Sequence, residues 1–129
     1  MTENDKPILP IIPSKEDGRD WNVSEYLKDI TEPQTLDLRD TLLPVRNQGK
    51  YGTCAAQSAA CLKEWQEHNE SNFSEYMSPQ FVYNNREYWN NDIKDGYDPN
   101  EDYGMECRDV MKILNKVGIC SENMYPFTI

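Results

Sequence analysis

The sequence predicts a mostly helical domain behind an extended N-terminal arm. Three observations carry that reading. An alanine-rich run from Cys54 to His68 contains no Gly or Pro. Ser78-Pro79 has the form of a helix start. Val110, Ile113, Leu114 and Val117 recur at helical spacing. With 129 residues the chain has material for one domain with a modest core, not two.

The elements follow in order. Residues 1–33 hold prolines at 7, 10, 13 and 33 and few large apolar side chains, so they read as an extended arm with one short helical turn over Val23–Ile30. Ile8 to Ile12 and Trp21 fit an arm lying on a partner surface; a flexible tail is the alternative. The domain itself spans 34–129. Leu36 to Arg39 alternates like a short strand, and Pro44 to Thr53 is rich in turn residues. The Cys54–His68 helix takes Thr53 as N-cap and buries Ala55, Ala56, Ala59, Leu62 and Trp65. Small residues on that face point to closely packed neighbours. Ser78 caps a second helix that carries Phe81, Val82 and Tyr83 toward the core. Residues 90–104 are acidic and irregular, and a third helix runs from Met105 to Val117, closed by Gly118.

Composition removes several classes of function. The formal charge is −10, and an acidic chain repels a phosphate backbone, so nucleic-acid binding is disfavoured. No apolar run approaches the roughly 20 residues of a membrane helix. Without a basic leader the chain reads as intracellular, with Cys54, Cys61, Cys107 and Cys120 as reduced thiols. No C-x-x-C pair exists, which argues against a zinc ribbon or redox pair. Asp92, Asp95, Asp98, Glu101 and Asp102 do not follow a calcium-loop order and read as a solvated loop. The aromatics Tyr83, Tyr88, Trp89, Tyr97 and Tyr103 fit a peptide-cleft floor or core packing equally. No cofactor and no metal are expected.

The chemistry concentrates between Gln48 and Ala56. Cys54 opens the buried helix just after a glycine-containing loop. A helix N-terminus favours a thiolate, and its unpaired N–H groups can hold a developing oxyanion. The side-chain amide of Gln48 is a second candidate donor. His68, the single histidine, lies 14 residues along the same helix, about 21 Å away at 1.5 Å per residue, and reads as a solvated helix-end residue rather than a base.

Pro44-Val45-Arg46-Asn47-Gln48-Gly49, then Gly52-Thr53-Cys54-Ala55-Ala56-Gln57-Ser58, resembles the active-site region of papain-like cysteine peptidases. Met77-Ser78-Pro79-Gln80-Phe81-Val82 is similar to that family's next helix start. Asp102-Tyr103-Gly104, Arg108, Gly118-Ile119-Cys120 and Tyr125-Pro126-Phe127 resemble its later helix and Y-P-Y/F ending. Leu36 to Arg39 stands where the family has V-D-W-R, so the resemblance covers residues 35–127. It implies an α+β papain-like fold of an intracellular, bacterial or viral type. This chain would be the mostly helical left half, lacking the β-rich right half that supplies histidine and asparagine. It implies Cys54 as nucleophile, Gln48 as oxyanion donor beside the Cys54 N–H, Gly52 in the strip lining the first subsite, and Gly104 as the glycine that pairs with extended substrate. Tyr51 stands where secreted members carry a disulfide cysteine, and Ala55 where tryptophan is usual. The expected function is peptide-bond hydrolysis through a thioester, the partners being a peptide or protein substrate and the missing half. The alternative is a truncated, inactive module that binds peptides or a peptidase, and the 129-residue chain alone is expected to be inactive.

Overall fold

The computed structural model describes residues 11–86 and 102–128. In chain order these form β1 (Ile11–Ile12), α1 (Val23–Tyr26), a 3-10 turn (Arg39–Thr41), α2 (Cys54–Ser71), α3 (Pro79–Asn84), β2 (Met105–Glu106) and α4 (Cys107–Lys116). Tyr88, Trp89, Tyr97 and most of the acidic stretch lie outside the described residues.

The alanines of α2 do what their size allows. Ala56, Ala59 and Ala60 are buried, and neighbouring elements close on them. Val82 and Tyr83 of α3, Met105 of β2, and Val110 and Ile113 of α4 complete one core, with Ala55, Leu114 and Ile119 at its margin. The helical stripe continues from Ala60 to Glu64, not to Leu62, which is half exposed. The buried face is therefore rotated from the expected one, and it takes in a carboxylate.

Ser78 caps α3 as expected: its Oγ accepts the Phe81 N–H at 3.0 Å. The same hydroxyl donates to the Tyr125 carbonyl. Met77 forms an antiparallel bridge with Ser121, and the Tyr125 ring meets Phe81 edge-on at 6.0 Å. The Tyr-Pro-Phe segment is thereby folded back over the start of α3.

Four expectations are corrected. Leu36–Arg39 is not a strand, because the Asp37 carboxylate takes the Arg39 N–H at 3.0 Å and pairs with its guanidinium, winding the chain into the 3-10 turn. The early helical turn stops at Tyr26, and with no buried residue nothing extends it to Ile30. The last helix starts at Cys107, since Met105 and Glu106 are spent on pairing with another segment. Thr53 precedes α2 but makes no capping bond; its hydroxyl is buried without a partner among the described residues.

The segment paired with β2 is the arm itself. β1 runs parallel to β2, with Ile11 opposite Met105 and Ile12 opposite Glu106. Arg108 in the first turn of α4 fixes the next stretch: its two terminal nitrogens each donate to Asp20 at 2.7 Å, and one also reaches the Lys15 carbonyl at 2.9 Å. Residues 11–20 thus dock on this chain, while Trp21 stacks on Tyr26 at 5.6 Å and stays exposed.

Candidate active site

The loop before α2 is built from short-range hydrogen bonds. Asn47 Oδ1 accepts the Gly49 N–H at 2.9 Å, and Gly49 takes φ +65°, a left-handed value that suits glycine. Gln48 Nε2 donates to the Tyr51 carbonyl at 2.8 Å, closing the loop on itself. Tyr51 then meets Phe127 edge-on at 6.1 Å, so the loop leans on the C-terminal segment. Gly52 and Thr53 are buried, and Cys54 follows as the first residue of α2, half-buried.

The first intrahelical bond of α2 runs from the Gln57 N–H to the Thr53 carbonyl at 2.8 Å. The N–H groups of Cys54, Ala55 and Ala56 precede it and have no intrahelical acceptor. The structure thereby places the thiol and unpaired helix donors together. It commits one N–H of the Gln48 amide to the loop; the amide carries a second. His68 lies in the last turn of the same unbroken helix, with Nδ1 3.2 Å from the Phe73 carbonyl, and is apart from Cys54.

Facing the loop is the strip before β2. Gly104 is buried with φ +76°, a backbone that a side chain would strain. Its N–H donates to Tyr83 Oη at 3.1 Å. The Gly104 N–H is therefore turned inward, and only its carbonyl can serve an extended ligand. Asp102 joins the two strips: its carboxylate accepts the Tyr83 hydroxyl through Oδ1 and the Gly52 N–H through Oδ2. Burial, then the bond to Asp102, pushes the Tyr83 phenol up to about 12. Sequence reasoning missed this link because Asp102 sits in an acidic stretch that reads as solvated.

A small apolar hollow of about 200 Å³ is shared by Cys54, Ala55, Leu62, Cys107, Val110 and Met111. All four cysteines are free, and Cys107 also opens a helix and is exposed. The helix-start environment is therefore not unique to Cys54. Brief alkylation should label Cys107 first, Cys54 next, and Cys61 and Cys120 last, with burial raising the Cys120 thiol pKa. Residue-resolved mass spectrometry checks the order; labelling of Cys61 before Cys54 would contradict it.

Comparison with known proteins bears on the fold. No family model matches the chain. It is 31% identical over 106 residues to a peptidase C1-like protein of Acanthamoeba polyphaga mimivirus, across 81% of this chain and 30% of that protein. Its structure matches xylellain, a cysteine protease from Xylella fastidiosa, with a TM-score of 0.61 and 23% identity, covering 92% of this chain and 42% of that one. By fold the chain is papain-like. This papain-like chain spans less than half the length of either protein it matches. Among its described residues, no helix is long and apolar enough to cross a membrane.

Proposed function

We propose that this chain carries the nucleophile half of a cysteine peptidase that cleaves peptide bonds through a thioester on Cys54. One observation supports the reading above the rest: Cys54 is the first residue of an 18-residue helix, reached through a glycine loop and set beside unpaired N–H groups. The sulfur attacks the scissile carbonyl, and the oxyanion is held by the Cys54 N–H and the free N–H of the Gln48 amide. The amine leaves with a proton from a histidine, and water then cleaves the thioester. That histidine cannot be His68, so a β-rich half supplies it. An open groove of about 760 Å³ flanks α2, lined by Leu42, Leu43, Val45, Leu62 and Trp65, and Val45 is fully exposed. Such a face fits burial under the second half.

The test is hydrolysis of an unstructured polypeptide by the protein carrying both halves. Turnover supports the reading. Peptide binding without cleavage would overturn it and favour the alternative, an inactive peptide-binding module. In the same assay Gln48→Ala should lower kcat about 10²- to 10³-fold, the worth of one oxyanion donor, with KM little changed. A raised KM at constant kcat would show that Gln48 binds ground-state substrate instead.

A further inference from the structure

We propose that Asp102 is the positioning residue for Cys54, a carboxylate clasp that fixes the loop entering α2 against the strip carrying Gly104. The inference rests on Cys54 being the nucleophile, but its geometry stands alone. The two strips are 50 residues apart in sequence, and one side chain spans them. Oδ2 of Asp102 accepts the Gly52 N–H, two residues before the thiol, while Oδ1 accepts the Tyr83 hydroxyl. Tyr83 is a buried core residue of α3, and its Oη also receives the Gly104 N–H. One carboxylate therefore ties a loop to a packed helix.

No disulfide does this work: the four cysteines are free. A hydrogen bond to an ionised acceptor is about twice as strong as a neutral one, which suits a tether made by one side chain. It also has a chemical consequence. The Gly52 N–H points into the clasp and is removed from the donors that could meet an oxyanion. That leaves the N–H groups at the start of α2 and the Gln48 amide for the role. A turn held at Gly52 sets the direction from which α2 begins, and so where the sulfur lies relative to the Gly104 strip.

The experiment uses the full chain labelled with ¹⁵N-glycine, which gives only six glycine resonances. Asp102→Ala should shift the Gly52 resonance and speed its amide exchange about 10- to 100-fold, the effect of losing one charge-assisted bond. Alkylation of Cys54 by iodoacetamide should change in the same variant. Tyr83→Phe should speed Gly52 exchange by a smaller factor, about 3- to 10-fold, since Asp102 keeps its bond to Gly52 but loses its anchor on α3. Asp102→Asn should restore most of the Gly52 protection: the amide oxygen takes the N–H and the NH₂ turns toward the Tyr83 hydroxyl. If Asp102→Ala does not fold, Tyr83→Phe carries the test, and unchanged Gly52 exchange in that variant would overturn the clasp. Unchanged Gly52 exchange in a folded Asp102→Ala would overturn the clasp. Freed Gly52 with unchanged Cys54 alkylation would overturn positioning and leave Asp102 structural. Peptide hydrolysis by the complete protein tests Cys54 separately, so the two readings can fail independently.

Discussion

Cys54→Ala is expected to abolish peptide hydrolysis by the complete protein, a drop in kcat of about 10⁶-fold. The size follows from how nucleophile and base work. They act as one unit, so losing the sulfur also idles the histidine that would protonate the leaving amine. What remains is the contribution of the oxyanion donors and of substrate binding. The helix should persist, because Cys54 is only half-buried at its first turn and alanine is the best helix former. Substrate affinity should therefore survive the substitution, and a competition assay with unlabelled peptide would show it. Retention of more than about a hundredth of the turnover would rule out a thioester on this residue.

Arg46→Met is expected to cost about 3–5 kcal/mol of stability, a large share of a typical domain's 5–15. Glu64 lies on the buried face of α2, where its Oε1 takes Arg46 Nη2 at 2.6 Å and the Met77 N–H at 2.8 Å. Arg46 Nη1 also donates to the Met77 carbonyl at 2.9 Å and stands 3.5 Å from Glu122 Oε2. The guanidinium lies over the Tyr76 ring at 4.5 Å. Removing the cation strands a buried carboxylate. Even with Arg46 present, burial pushes the Glu64 pKa up, more than the Met77 N–H and Arg46 pull it down. The sign of the pH effect follows. A raised carboxyl pKa in the fold means its contribution is full below the ordinary glutamate value of 4.5 and is lost as pH rises through the folded value. Without Arg46 the folded value rises further. The deficit of Arg46→Met should thus be largest at neutral pH and narrow on acidification. Urea melts at pH 7 and pH 5 would check this, and an equal deficit at both would mean that Glu64 is not the group left stranded.

Helix positions were legible in the sequence where one local rule decided them. The alanine run sets α2, and Ser78-Pro79 sets α3 with the bond its hydroxyl was expected to make. The start of α4 was misplaced because Met105 and Glu106 have no local feature that marks them as strand; their partner lies in the arm. Thr53 has the right chemistry for a cap and the wrong geometry. The placement of Cys54 at a helix start was readable. The Asp102–Tyr83–Gly52 link was not, because a lone carboxylate in an acidic stretch gives no sign of what it faces. Glu64 did offer a sign that went unused: it falls four residues after Ala60, on the alanine stripe, and a charge there asks for a buried partner.

The docking of the arm bears on the order in which this protein assembles. The pairing of Arg108 with Asp20 spans 88 residues, and its contact with Ser14 spans 94. Ring closure over such a distance costs entropy that a two-residue strand and one guanidinium repay only once α4 is in place. During synthesis the arm precedes β2 and α4, so it waits until both have been made. Made ahead of its partner, the arm seals the edge of β2 only after the helices behind that strand have packed.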